Sequence, residues 1–178
     1  MNTIERSYSY IAVAGPQEYR KTVFGERIAK QLKYQFIPHD DGNNPHDEHE
    51  RFQALTHTLT QKMQQFTEVN KLRQKRGVVV DTPAEQIVFA DGRVALHGYD
   101  WGLFSSLFAT IQEAHPMVPS LVICLEADAQ RALTQFNHEW IISSSVPTIH
   151  LDFETITQSF NYKALAKQIR TKLAIGHR

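Results

Sequence analysis

Short apolar runs alternate with longer amphipathic stretches along this chain, and the alternation predicts buried strands separated by helices. The five apolar runs are the predicted strands, at residues 10–15, 34–38, 78–83, 120–127 and 147–153. The stretches between them carry apolar residues at helical spacing, which predicts helices at 22–33, 50–75, 84–90, 99–116, 128–136 and 161–175. Strands and helices in this order favour a parallel sheet that is covered by helices on both faces.

The longest predicted helix runs from Glu50 to Lys75 and contains neither Gly nor Pro. Its apolar residues recur every three or four positions and are Phe52, Leu55, Leu59, Met63, Phe66, Val69 and Leu72. This spacing places them on one face of the helix. Before the helix, the polar segment 39–49 with its Gly, Asn and Pro residues predicts a loop.

The length of 178 residues and the hydrophobic content of 42% suit one domain with a full core. The sequence has no repeat, no low-complexity tract and no long linker that would divide the chain. We therefore predict a single α/β domain over residues 1–178, with a five-stranded parallel sheet in a three-layer α/β/α arrangement.

Charge and cysteine content argue against several classes of partner. Lys plus Arg and Asp plus Glu both number 19, so we expect no nucleic-acid polymer as a partner. No stretch approaches about 20 apolar residues, and the start MNTIERSYSY lacks the apolar centre of a secretory signal, so we expect no membrane attachment and a cytoplasmic location. Cys124, the single cysteine, lies in an apolar run and is predicted to be a core residue.

The sequence GPQEYRKT, at residues 15–22, has the length of a phosphate-binding loop. In such a loop the first glycine forms the turn, the lysine reaches the terminal phosphates, and a Ser or Thr hydroxyl holds Mg²⁺. Gly15, Lys21 and Thr22 stand at the required spacing, between a predicted strand and a predicted helix. They are candidate ATP-binding residues, and Thr22 is also a candidate Mg²⁺ ligand.

The interior of this loop departs from the pattern. Glu18 and Arg20 stand where glycines are common, and a side chain in a positive-φ turn costs about 1 kcal/mol or more. Two interpretations are open. Either Arg20 contributes its guanidinium to the phosphates and joins the cofactor-binding residues, or the strand, turn and helix persist only as scaffold, with Lys21 exposed at the start of the helix.

The order of segments is similar to that of the deoxynucleoside kinases, a family of P-loop kinases that also resembles the thymidylate kinases. The resemblance covers nearly the whole chain and is carried by YIAVAGPQEYRKTVFGERIAKQL, FIPHDD, GVVVDTPAEQIVFA and SLVICLEADAQRAL. It implies a P-loop NTPase-type fold with a five-stranded parallel sheet. It also implies ATP with Mg²⁺ as the phosphoryl donor and a nucleoside 5′-hydroxyl as the acceptor.

The resemblance further implies roles for residues at the strand ends. Asp40 or Asp41, after the second strand, would be the base that takes the proton from the acceptor hydroxyl. Asp81, after the third strand, would lie near Mg²⁺, and Arg131 would stabilise charge on the transferred group. This chain has Thr82 where the family has an arginine, and Arg131 is the only arginine in the segment that corresponds to the family's arginine-rich lid.

Missing cations weaken phosphoryl transfer, because positive charge around the moving group supplies much of the catalysis. We therefore predict a deoxynucleoside-kinase-like P-loop protein whose ATP-dependent phosphorylation of a nucleoside or nucleotide is weakened or lost, and which acts as a binding or regulatory protein. ATP and Mg²⁺ are the expected cofactors if the protein is active, and otherwise none is expected. The alternative is an active ATP:nucleoside 5′-phosphotransferase with an altered loop. A homodimer or a protein partner is open in either case.

Two further groups of residues have both a functional and a structural interpretation. The segment 39–49 is rich in His, Asp and Glu, but its spacing matches no metal motif, so we favour a solvated loop over a metal site. On the helix at 99–116, the aromatic residues recur at helical spacing, which favours core packing over a base-stacking pocket. These aromatic residues are Tyr99, Trp101, Phe104 and Phe108.

Overall fold

The computed structural model describes residues 9–15, 19–39, 48–82, 98–114, 118–126 and 146–175. It contains five strands, which are β1 (Tyr10–Ala14), β2 (Gln35–Ile37), β3 (Val78–Asp81), β4 (Leu121–Glu126) and β5 (Thr148–Asp152). The helices are α1 (Tyr19–Leu32), α2 (Glu48–Leu72), α3 (Gly98–Ala114) and α4 (Tyr162–Ile175), with a 3-10 turn at Phe153–Thr155 after β5.

All five strands form one parallel sheet in the order β2-β3-β1-β4-β5. β1 lies at the centre and pairs with β3 on one side and β4 on the other, and every residue of β1 and β3 is buried. The predicted five-stranded parallel sheet is therefore confirmed. Burial on both faces explains why these two strands are apolar without polar alternation, apart from Asp81 at the end of β3.

The core has two halves, one on each face of the sheet. On one face, Ile11 and Val13 of β1 pack with α1 and α4, which contribute Phe24 and Ile169 among others. On the other face, the intervening β1 residues pack against α2 through Val69. Successive residues of a strand point to opposite faces, so β1 contributes to both halves of the core.

Most predicted elements are present with small shifts at their ends. α1 begins at Tyr19 and α2 at Glu48, each a few residues earlier than predicted, and α2 ends at Leu72, before the basic residues that were included in the prediction. Gly77, between α2 and β3, must be a small residue, because an added Cβ would stand 2.3 Å from a ring carbon of Tyr34. The predicted helices at 84–90 and 128–136 lie outside the described residues.

Cys124 is fully buried in the apolar half-core beneath α2, as predicted. Burial and the neighbouring Glu126 raise the pKa of its thiol to about 12, so the thiol is protonated at neutral pH. Among the helices that the structure describes, none combines the length and the apolar character needed to cross a membrane.

Candidate functional site

The carboxyl ends of β1 and β3 bring together Lys21, Thr22 and Asp81, which we call the β1–β3 cluster. Lys21 and Thr22 lie in the first turn of α1, which follows β1, and Asp81 is the last residue of β3, the neighbour of β1. Ligands of open parallel sheets bind beyond this edge of the sheet. The three candidates therefore converge where a phosphate site of this fold would lie.

Direct contacts join these three side chains. The Lys21 ammonium lies 3.0 Å from Asp81 Oδ1, and the Thr22 hydroxyl donates a hydrogen bond to Asp81 Oδ2 at 2.9 Å. Lys21 is only 1% exposed, so the interpretation that placed it in solvent at the helix start is wrong. Burying an ammonium without a partner costs several kcal/mol, and Asp81 supplies the partner.

Thr82 adds a second oxygen beside the lysine. The Lys21 ammonium donates to the Thr82 hydroxyl, and this hydroxyl donates to Asp81 Oδ1 at 3.1 Å. Thr82 has a φ of 59°, which for a β-branched residue costs on the order of 1–3 kcal/mol. Backbone strain of this kind is found mainly where function requires it, so the conformation at the end of β3 favours a binding role for this edge.

Gly15 begins the turn between β1 and α1 and has a φ of +144°. A Cβ at this position would stand 2.7 Å from the carbonyl oxygen of Leu125 on β4. Both the dihedral angle and the close approach require glycine. The first glycine of the predicted loop is therefore needed by the backbone itself, whether or not a phosphate binds.

The oxygens of the β1–β3 cluster fit a magnesium ion. Mg²⁺ takes hard oxygen ligands at about 2.0–2.1 Å in octahedral geometry, which places neighbouring ligand oxygens roughly 2.9 Å apart. The Thr22 and Asp81 oxygens are 2.9 Å apart. In the absence of an ion the threonine proton occupies the space between them. These two residues could therefore hold Mg²⁺ with little rearrangement.

Lys62 is a cation at the same edge that the sequence interpretation missed. It lies on α2, is 6% exposed, and its ammonium donates to the backbone carbonyl of Asp81 at 2.9 Å. The sequence does carry a signal, because Lys62 falls in the apolar stripe of α2, three residues after Leu59 and four before Phe66. A lysine in an apolar stripe is buried only where a partner is near.

His39 follows β2 and borders this group of charges. Burial, followed by the positive charges of Lys62 and Lys21, lowers the pKa of His39 to about 4, although Asp81 acts in the opposite direction. The imidazole is therefore neutral at pH 7 and adds hydrogen-bonding capacity without adding charge. The nearby aspartates Asp40 and Asp41, which the resemblance offers as the base, lie outside the described residues.

Arg20 contacts residues that follow β5. Its guanidinium lies 3.2 Å from Glu154 Oε1 and stacks on Phe153, with the guanidinium carbon 4.3 Å from the ring centroid. Both partners follow β5 in the 3-10 turn. In this arrangement Arg20 links α1 to the end of β5. Arg131, the predicted lid arginine, lies outside the described residues.

The aromatic residues of α3 form packing contacts. Phe104 is fully buried and Phe108 nearly so, and both join Leu59 in an apolar cluster between α2 and α3. Trp101 is half-buried against the same cluster, and the side chain of Tyr99 is not described. For Phe104 and Phe108 the core interpretation is confirmed.

No protein-family profile matches this chain, and no curated protein matches it by sequence. Solved structures do match. Deoxyadenosine kinase from M. mycoides with bound dATP is 16% identical, with a TM-score of 0.67 and coverage of 92% of this chain and 98% of that chain. Thymidylate kinase from Ehrlichia chaffeensis is 13% identical, with a TM-score of 0.64 and coverage of 94% and 99%.

A third similar structure is the NadR protein in complex with NR, at 13% identity and a TM-score of 0.74. The match covers 96% of this chain but 51% of the NadR chain, so this chain corresponds to about half of that protein. At such identities the likeness establishes the fold, which is the α/β fold of the P-loop kinases. The fold that the sequence resemblance implied is confirmed.

Proposed function

We propose that this protein binds a nucleoside triphosphate with Mg²⁺ at the β1–β3 cluster, and that it transfers the phosphoryl group to a nucleoside or nucleotide slowly or not at all. The observation that carries the proposal is the contact of Lys21 and Thr22 with one buried carboxylate, that of Asp81. A pure scaffold has no need for this arrangement, because a buried ion pair is often no more stabilising than apolar residues of similar size.

Each residue of the cluster has a definite task in such a site. The Lys21 ammonium would leave Asp81 and donate to the terminal phosphates, while Thr22 and Asp81 would offer their oxygens to the metal. When bound, Mg²⁺ would neutralise negative charge on the phosphate oxygens. Gly15 would serve such a site as the residue without a side chain where the backbone passes close to the Leu125 carbonyl oxygen.

The proposal of slow or absent transfer is supported by two positions at which an arginine would have served the phosphates. The Arg20 guanidinium contacts Glu154 and Phe153, and Thr82 stands where the resemblance expects an arginine. One arginine that stabilises the transferred group contributes about 10³-fold or more to the rate. A protein that has lost such groups would keep nucleotide binding and act through it, as a binding or regulatory protein. The homodimer and the protein partner are proposals of the same kind.

A second candidate function is an active ATP-dependent phosphotransferase, and Lys62 favours it. This buried ammonium reaches the carbonyl of Asp81 from the face opposite α1. From there it would supply positive charge that the missing arginines do not. Asp40 or Asp41 would act as the base, and Arg131 would add charge from the segment after β4.

Nucleotide binding is tested by urea unfolding of the full chain with and without Mg-ATP. At about 100 times the dissociation constant, ligand binding raises the free energy of unfolding by about 2.7 kcal/mol. We expect this gain in the native chain, its loss in Lys21→Ala, and its retention in Lys30→Ala, a matched change at an exposed lysine of α1. No gain at millimolar Mg-ATP, or a gain that survives Lys21→Ala, would contradict the proposal.

Transfer is tested separately, by following ATP consumption in the presence of a panel of nucleosides and nucleoside monophosphates. Slow or absent turnover with tight Mg-ATP binding supports the binding protein. Turnover that falls sharply in Lys62→Met, with Mg-ATP affinity unchanged, supports the active phosphotransferase. The two functions therefore give different results in the same preparation.

A further inference from the structure

Three side chains of different chemistry meet at the carboxyl ends of β4 and β5. They are Cys124 and Glu126 on β4 and His150 on β5, and we call them the β4–β5 cluster. Each offers one ligand atom, and these atoms all lie within 4.8 Å of one another. The sheet produces this meeting, because the register pairs Cys124 with His150, and Glu126 lies two residues further along β4 on the same face.

A thiol, an imidazole and a carboxylate together are the ligands that zinc takes in proteins. We propose that Cys124, Glu126 and His150 bind one zinc-class divalent transition-metal ion, with a fourth position open to water or another ligand. The hard oxygen-preferring ions Mg²⁺ and Ca²⁺ are disfavoured here, because two of the three ligand atoms are sulfur and nitrogen.

The spacing of the ligand atoms is close to what such an ion requires. Zinc bonds of about 2.3 Å to sulfur and about 2.0–2.2 Å to nitrogen and oxygen place tetrahedral ligand atoms roughly 3.5 Å apart. His150 Nδ1 and Glu126 Oε1 are 2.6 Å apart and would open by roughly 1 Å, while the more distant pairs would close by at most about 1.3 Å. The exposed side chains of His150 and Glu126 would make these movements by rotation.

The exposure of the three ligands also suits an ion that enters the site from solvent. The Cys124 sulfur lies at the bottom of the cluster, while the side chains of His150 and Glu126 are 38% and 37% exposed and form its outer side. Binding displaces the thiol proton of Cys124 to solvent, and the proton that His150 Nδ1 shares with Glu126 Oε1 is also lost from Nδ1, while Nε2 carries the ring proton of the neutral imidazole. The hydrogen bond between imidazole and carboxylate is thereby replaced by two bonds to the metal. The step requires no oxidant or other reactant.

This site shares no residue with the β1–β3 cluster. The two clusters lie on different strand pairs of one sheet. Failure of nucleotide binding would therefore leave the metal proposal standing, and failure of metal binding would leave the nucleotide proposal standing.

Cobalt titration of the full chain tests the proposal directly. After treatment with a chelator, Co²⁺ is added in the absence of nucleotide, and the near-ultraviolet sulfur-to-cobalt charge-transfer band is measured. The sequence contains one cysteine, so this band reports Cys124 alone. We expect the band to saturate at about one equivalent of Co²⁺ and to disappear on addition of Zn²⁺, since zinc binds such sites more tightly than cobalt.

Exposed ligands provide variants that are expected to fold. His150→Ala should weaken Co²⁺ affinity by more than about 100-fold, which is the upper range for loss of an outer hydrogen bond to a ligand. Glu126→Gln should weaken it in the same direction. His57→Ala, at an exposed histidine of α2 that bonds Gln61, should leave the affinity unchanged.

Several outcomes would overturn the assignment. One is the absence of a charge-transfer band at millimolar Co²⁺, and another is an affinity that His150→Ala does not change. An equal loss in His57→Ala would likewise place the ion elsewhere. Cys124→Ser should abolish the band, and because His150→Ala alone can disprove the proposal, the test does not depend on the folding of the Cys124 variant.

Discussion

The β1–β3 cluster and the β4–β5 cluster are built in the same way and differ in burial. In both, side chains from two neighbouring parallel strands, or from the helix that follows one of them, meet around a carboxylate. The Lys21–Asp81 pair is 1–2% exposed, whereas the His150–Glu126 pair is 37–38% exposed. Solvent screens the second pair, whereas the first depends on its own opposite charges and on hydrogen bonds from Thr22 and Thr82.

Under the two proposals, one sheet would support two kinds of chemistry. Hard oxygens and a buried ammonium suit phosphate and Mg²⁺, while a thiol, an imidazole and a carboxylate suit a softer ion. Gly15 connects the two regions, because its backbone lies against Leu125, which stands between Cys124 and Glu126. Four predictions test how far the contrast in burial holds.

The largest effect is expected when each carboxylate is replaced by its amide. Asp81→Asn leaves the buried Lys21 without a counter-charge and should lower the free energy of unfolding by about 3–5 kcal/mol. Glu126→Gln, the matched change in the exposed pair, should cost at most about 1 kcal/mol. Urea unfolding without nucleotide or metal measures both, and similar costs for the two variants would refute the contrast.

A pH effect of similar size is expected beside the first cluster. The unfolded chain takes up a proton at His39 near pH 6.5, whereas the folded protein does so only near pH 4, because burial and the two lysines disfavour the charged imidazole. Over this window the unfolded state holds more protons, so stability falls as the pH falls, by up to roughly 3 kcal/mol.

This contribution is measured as the difference between the native chain and His39→Gln, with urea unfolding from pH 7 to pH 4. The variant should lose less stability over this range, since its amide does not titrate. Parallel curves of stability against pH for the two proteins would show that burial, Lys62 and Lys21 do not lower the pKa of His39 in the folded protein.

A smaller effect is expected at the glycine that links the two clusters. Gly15→Ala should destabilise by about 1–3 kcal/mol, because the new Cβ would meet the Leu125 carbonyl in an unfavourable backbone conformation. Mg-ATP affinity should fall with it. The control is Gly102→Ala in α3, where a Cβ meets nothing within 4 Å, and this variant should gain up to about 1 kcal/mol. Equal effects of the two variants on stability would show that the turn has no special need for glycine at position 15.

The smallest effect is expected at Arg20. Arg20→Ala should cost about 1 kcal/mol or less, since its pair with Glu154 is largely exposed, and should leave Mg-ATP affinity unchanged. Arg27→Ala is the matched control, since Arg27 lies on α1 like Arg20 and its guanidinium faces the ring of Tyr162 on α4. If Arg20→Ala weakened Mg-ATP binding tenfold or more and Arg27→Ala did not, the Arg20 guanidinium would contact phosphate. Arg20 would then be one of the cofactor-binding residues, which is the first of the two interpretations of the loop.

Much of the fold could be predicted because it is encoded locally. The strands are short runs that are mainly apolar, and α1 to α4 have apolar residues at helical spacing, so neighbouring positions alone identify them. Gly15, Lys21 and Thr22 could be identified as candidate site residues in the same way, because they belong to one short loop pattern. Helix ends were predicted less well, because Tyr19 and Glu48 begin helices without a clear local signal.

The candidate site could be predicted where its residues belong to the loop motif and, for Asp81, where the family resemblance implied a role. The approach of Lys62 to Asp81 depends on how α2 lies across the sheet, and a position in an apolar stripe indicates burial without naming the partner. The orientation of Arg20 depends on Glu154, which is 134 residues away in sequence. Periodicity along a chain carries no information on such pairs.

The sequence by itself determined the order of strands and helices, the parallel sheet and the phosphate-loop spacing, since these follow from local periodicity and from turn chemistry. The tertiary structure decided which charges are buried together and which remain in solvent. It also decided that Cys124 and His150 are neighbours, because the register of β4 against β5 is fixed by backbone hydrogen bonds and core packing. Burial sets the strength of each charge interaction, and burial is a property of the folded chain alone.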